Sequence, residues 1–208
     1  MFLGVGRWVR THPELSETSS SIYQVTRQIA LAFATFAPRR PQPGFGILDT
    51  SVYNTRVRPG DLDIYVHVNN AVYLNMMDSG RAHFIADLDG YKLLNPRGWY
   101  PVVAASSVTY RRSLLLGQQA QVRTRIVGWD PRIVYLEQEI YHREQLAARA
   151  IIAGRFLAKK GGKVPAPDVM ALFDGPTTSP ELPADVAGWA RAVGVAYRPP
   201  SPSSTPEQ

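Results

Sequence analysis

The sequence predicts an α+β domain in which one long helix packs on a five-stranded antiparallel sheet. Two observations lead there. A single segment of helical period, about residues 70–88, follows one early strand and precedes four strand-like segments. The connections among those later segments are short, the pattern of antiparallel neighbours beside one helix.

Taken in order, Thr18, Ser19, Ser20 and Ser21 offer helix caps, because a hydroxyl oxygen can satisfy first-turn amides. Behind them Ile22, Val25, Ile29, Phe33 and Phe36 recur at steps of three and four, one apolar stripe ended by Pro38 and the Pro41/Pro43 pair. This helix is expected to pack on the domain. The sharper alternative is peripheral membrane contact through residues 22–37, with Arg27, Arg39 and Arg40 meeting anionic head groups.

The first core strand is expected over roughly 49–57, closed by Pro59-Gly60. In the long helix Tyr73, Met76, Met77, Gly80 and Phe84 share one face and read as core, with Asp78, Arg81 and Asp87 expected elsewhere on it. Strands then follow over about 102–110, 120–127, 133–141 and 149–158. In the second of these Val122, Thr124 and Ile126 lie opposite Gln121, Arg123 and Arg125, and Gly128-Trp129-Asp130-Pro131 reads as a hairpin turn. Short helices are expected around 168–173 and 184–195, and a Pro/Ser-rich end without fixed structure over 199–208. The chain thus divides into an N-terminal extension with its amphipathic helix (1–46), a core domain (47–163), a C-terminal helical extension (164–198) and a tail (199–208).

Composition bounds the function. With 208 residues, 45% of them apolar, one domain with a substantial core is expected. The absence of cysteine excludes disulfides, thiolate zinc sites and cysteine nucleophiles. It also fits a reducing compartment, and a soluble, cytoplasmic protein is expected. No apolar run reaches the roughly 18–20 residues needed to span a bilayer. The net charge is +6, and the first 60 residues hold seven arginines against three carboxylates. That balance suits acidic partners such as CoA phosphates, an acidic carrier protein or anionic lipid. Nucleic acid is not expected, because the basic residues are scattered and match no zinc-finger, RRM or helix-turn-helix pattern.

The chemistry is concentrated in Asp61-Leu62-Asp63-Ile64-Tyr65-Val66-His67-Val68-Asn69-Asn70-Ala71-Val72-Tyr73-Leu74, between the first strand and the long helix. A carboxylate lies in the loop, a histidine four residues on, and two asparagines where the helix begins, asparagine being a favoured cap. First-turn amides and the helix dipole can polarise a carbonyl and stabilise the oxyanion of a tetrahedral intermediate. Asp63, just upstream, is placed to attack a thioester carbon or to activate a water. The competing reading is structural: Asp61 or Asp63 as a turn or cap, and His67 as a buried histidine bonded to backbone.

The stretch DLDIYVHVNNAVYL resembles the signature of hotdog thioesterases, in which D-x-x-x-H-V-N-N-x-x-Y leads into the central helix. It is also similar to the DLD…HVNN motif of acyl-carrier-protein thioesterases. MDSGR, VTYRRSL, VRTRIVGWD and FLAKKGGKVP follow in matching order. The similarity is strongest to the 4-hydroxybenzoyl-CoA thioesterase type and its thioesterase superfamily member 6-like branch, including ELPAD at Glu181–Asp185. The resemblance spans about residues 52–185. It implies a hotdog fold and hydrolysis of an acyl-CoA or acyl-carrier thioester without metal or other cofactor.

It further implies Asp63 as the catalytic carboxylate, the Asn70 amide as oxyanion donor and His67 as an orienting group. Tyr65 departs from the carrier-protein enzymes, which have a catalytic asparagine there. Asn69, Tyr73, Arg111 and Arg112 are candidate substrate contacts. If the chain is extended at Arg111 and Arg112, they point to opposite faces and only one can reach a CoA phosphate. A homodimer or homotetramer is expected, since an open sheet edge invites a second copy. A hotdog dehydratase is disfavoured by its different acid–base pair. A non-catalytic acyl-binding or membrane-associated protein is the alternative from another class.

Overall fold

The computed structural model describes residues 41–197. The candidate membrane helix at 22–37 and the tail from 199 lie outside them. Six strands form one antiparallel sheet: β1 (Ser51–Arg56), β2 (Trp99–Tyr110), β3 (Gln119–Trp129), β4 (Val134–His142), β5 (Gln145–Ala158) and β6 (Lys163–Val164). The order is β1-β3-β4-β5-β2, with the two-residue β6 added to β5. Among the described residues four helices accompany it: α1 (Asn70–Asp87), α2 (Gly90–Leu94), α3 (Ala166–Met170) and α4 (Ala184–Ala192). The sheet curls around α1, the expected hotdog arrangement, with five long strands as read from the sequence. Among the described residues no helix is long and apolar enough to cross a membrane.

Alternation decides which side of each strand meets α1. Val122, Thr124 and Ile126 of β3 are buried toward the helix, and so is Ile140 of β4. They meet Tyr73, Met76, Met77 and Phe84, the stripe that spacing assigns to the core. Gly80 lets the helix sit close, because a Cβ there would come within 2.8 Å of Val122 Cγ1. The opposite face of the sheet is also apolar. Val127, Ile133, Tyr135, Ile151 and Ala153 pack there against Val186 and Ala190 of α4. The C-terminal extension is therefore built into the domain.

Three local expectations need correction. The hairpin turn begins at Asp130, because Gly128 and Trp129 still pair with Tyr135 and Val134 beyond a bulge. Asp130 Oδ1 accepts the Arg132 and Ile133 amides, each at 2.8 Å, and so closes the turn. At Gly128 a Cβ would come within 2.7 Å of Leu182, so the glycine admits the segment that leads into α4. Asp87 lies on the buried side of α1, three residues after Phe84, and is 5% exposed. Arg81 is likewise turned inward, with a side chain 17% exposed.

Both inward polar residues belong to networks. Ser51 Oγ donates to Asp87 Oδ2 at 2.6 Å, and His83 Nδ1 lies 3.0 Å from the same oxygen. The residue types are those of a hydrolytic triad, yet the serine proton goes to the aspartate rather than to the histidine. The trio therefore works as a brace between β1 and α1. Ser51 Oγ also lies 3.1 Å from His83 Nδ1, and Asp87→Ala should cost about 1–3 kcal/mol by removing the buried carboxylate that Ser51 and His83 share. Urea unfolding measures this, and an unchanged midpoint would show that the brace carries no stability.

The second network centres on Gln138, fully buried in β4. Its amide donates to Met77 O at 2.9 Å and Thr124 Oγ1 at 2.8 Å, and its oxygen accepts from Arg81 Nη1. Arg81 also pairs with Asp78. Burial lowers the Arg81 guanidinium to about 10, still charged at neutral pH.

Candidate active site

The site is one closed loop between β1 and α1. Asp61 ends a single 3-10 turn (Pro59–Asp61), where its Oδ2 accepts the Arg58 amide at 2.8 Å and its carbonyl accepts Asn69 N–H at 2.9 Å. It is fully buried, and desolvation raises its carboxyl above the ordinary aspartate value. The two motif aspartates thus differ in setting, Asp61 being enclosed and bound to backbone. Leu62 and Val68 pair as an antiparallel bridge, and Asp63 N–H donates to His67 O at 2.8 Å. Val68 N–H reaches Leu114 O at 3.1 Å, which pins the loop to the β2–β3 connection.

The Asp63 side chain folds back onto its own loop. Oδ1 accepts the Tyr65 amide at 2.8 Å and the His67 amide at 3.3 Å. Among the described residues Oδ2 accepts no hydrogen bond. One oxygen is therefore held by backbone while the other is available to a reacting group. Ile64, Tyr65 and Val66 form the exposed tip.

Val66 carries φ 62°, a left-handed conformation that a β-branched side chain adopts only under strain. It is what allows the chain to reverse between the two amides that hold Asp63. Val66→Asn should raise stability by about 1 kcal/mol with turnover retained, since asparagine tolerates this region. Chemical denaturation checks it, and a destabilised variant would mean that the valine side chain itself is needed.

The start of α1 completes the site. Asn69 caps the helix, its Oδ1 accepting Ala71 N–H at 2.9 Å. That oxygen is committed to backbone, which argues against its use on substrate. Asn70 N–H has no acceptor among the described residues and stands open at the positive end of an 18-residue helix. Tyr110 of β2 donates its hydroxyl to Asn70 O at 3.2 Å and so ties the helix start to the sheet.

Other candidates are placed differently from expectation. Tyr73 is 2% exposed, donates to Arg112 O at 3.3 Å and accepts Leu114 N–H at 2.9 Å, so it latches the chain after β2 instead of facing substrate. Arg111 and Arg112 lie beyond the end of β2, and both amides converge on Ala147 O at 2.7 and 3.1 Å. The opposite-face argument assumed an extended chain and does not hold there. Both guanidinium groups are exposed and form no ion pair among the described residues. The His67 ring is also exposed and unbonded among those residues. Its backbone, not its imidazole, orders the loop.

Sequence reasoning missed the two inward networks. Gln138 had a signal, being two residues from Ile140 on the helix-facing side of β4. Asp87 had one in its helical step from Phe84. Among the described residues no group of three or more histidine or acidic side chains is arranged to hold a metal ion.

The family model described as the Thioesterase-like superfamily matches residues 57–189 of the chain. Protein THEM6 of Drosophila melanogaster is 28% identical over 173 residues, covering 83% of this chain and 88% of that protein. Protein THEM6 of Xenopus laevis is 31% identical over 146 residues, covering 70% and 69%. Among solved structures, a 1,4-dihydroxy-2-naphthoyl-CoA thioesterase from Synechocystis superposes with a TM-score of 0.52 at 19% identity. That superposition covers 62% of this chain and 100% of the other.

Proposed function

This chain belongs to the thioesterase-like superfamily, and we propose that it hydrolyses acyl-CoA thioesters to the free acid and CoA. The observation that carries this reading is the pairing of an available Asp63 Oδ2 with the open Asn70 amide, both fixed by the loop that precedes α1. With the thioester oxygen at Asn70 N–H, charge gathering on that oxygen in the transition state meets a fixed backbone dipole. The Asp63 carboxylate either takes a proton from a water that attacks the carbonyl carbon, or attacks that carbon itself to give a mixed anhydride, which a water then hydrolyses to release the acid and restore the carboxylate. Collapse of the tetrahedral intermediate breaks the C–S bond, and the thiolate leaves as CoA. Arg111 and Arg112 lie just after β2, whose Tyr110 touches the helix start, which suits them to CoA phosphates.

The active unit is a homodimer in which the Asp63 loop of one subunit faces the partner. Support comes from the sheet order, which leaves β2 at an edge, and from the exposed apolar tip formed by Ile64, Tyr65 and Val66. A thiol-release assay across short, long and aromatic acyl-CoAs tests the activity. Absence of release from every thioester, CoA and carrier-protein alike, would leave a non-catalytic acyl-binding protein as the reading.

A further inference from the structure

We propose that the cavity between the C-terminal half of α1 and the sheet binds an unsubstituted aliphatic chain, the alkyl part of a fatty acid or fatty acyl thioester. The cavity measures about 330 Å³, within the size range of small-molecule pockets, whereas close-packed interiors rarely leave voids larger than a water. Ala82 and Phe84 of α1 and Leu88 just after it line the helix side, Val134 and Gly154 the sheet side, and Phe173 of the C-terminal extension completes the lining. The pocket lies within a single subunit, and Asp63 is not among its lining residues.

The chemistry of the lining selects the ligand. Its charged and hydroxyl-bearing side chains are Asp78, Arg81 and Tyr91, and all three are engaged by the protein. Arg81 donates to Gln138 Oε1 and pairs with Asp78, while Tyr91 donates its hydroxyl to Ala82 O at 3.4 Å. Away from Asp78, Arg81 and Tyr91 the lining is hydrocarbon, so a hydroxyl on an aromatic acyl group would be desolvated there at a cost in free energy. An alkyl chain carries no such group.

Arg81 stands eleven residues beyond Asn70 on α1, about 16 Å along the helix axis. A thioester held at Asn70 would therefore reach this cavity only with a long chain. That corollary rests on the proposed hydrolysis; the binding site does not.

Gly154 offers a direct test. A Cβ there would make ordinary contacts, 3.5 Å to Leu136 and 3.6 Å to Val134 O, so a longer side chain can grow into the cavity. Calorimetric titration of the full chain with dodecanoate should give saturable binding at one site. Gly154→Leu and Ala82→Phe should each weaken it at least tenfold, with far-UV circular dichroism preserved. Contacts between ¹³C-labelled dodecanoate and the Leu88 and Val134 methyl groups locate the ligand without any substitution. Absence of saturable binding, contacts elsewhere, or a folded filled variant that binds as tightly as the parent would each overturn the proposal. Dodecanoate binding without thioester turnover would count against the Asp63 reaction and leave this site standing.

Discussion

Asp63→Asn should lower acyl-CoA turnover about a hundredfold or more while leaving thermal stability unchanged, the scale expected for losing a general base. The substitution is clean because of how the side chain is held. Oδ1 accepts the Tyr65 and His67 amides, and an asparagine carbonyl can accept both equally well. Only the charge and the basicity of the second oxygen are removed. Thiol release under saturating substrate, beside a melting curve, separates chemistry from folding. Near-parental turnover would reduce Asp63 to a loop-closing residue and end the proposed mechanism. Loss of both activity and stability would show that the negative charge is needed to build the loop.

Specific activity should fall at least tenfold when the protein is diluted until sedimentation shows a single subunit, and recover on concentration. The sheet ends in β2, and Pro101 removes one edge donor from it. A bulge between Val103 and Ala105 further disturbs the first half. In the proposed dimer, edge-to-edge pairing would therefore fall over about 105–110, the end of β2 that touches the start of α1 through Tyr110. Dissociation would expose that edge and the tip of the Asp63 loop together. A fully active single subunit would refute the shared site and leave the fold untouched.

The fold was legible because its signals are local and repetitive. The α1 stripe and the alternation of Val122, Thr124 and Ile126 recur in step with helix and strand geometry, and each residue is buried as its position requires. Asp63, His67 and Asn70 were singled out by a motif rather than by periodicity, and they lie in one loop and the helix start that follows it. Errors arose where a residue's role depends on a partner distant in sequence. Asp87 reads as a solvated helix residue until Ser51, 36 positions earlier, is placed beside it. Tyr73 reads as a ligand contact until Leu114, 41 positions later, occupies its hydroxyl. For Arg111 and Arg112 only the opposite-face argument falls: the strand end at Tyr110 was legible, but both amides turn to Ala147 O, a partner 35 or more positions away.

The packing of α4 has a consequence for how copies of this chain can assemble. Two sheets that stack face to face approach to about 10 Å, with their side chains interleaved. Val186 and Ala190 already fill that layer over Val127, Tyr135, Ile151 and Ala153. Arg149 fastens the helix there through Asp185, at 2.7 Å. A back-to-back tetramer built on this patch is therefore blocked by the chain's own C-terminal segment, and growth beyond a pair must use some other surface.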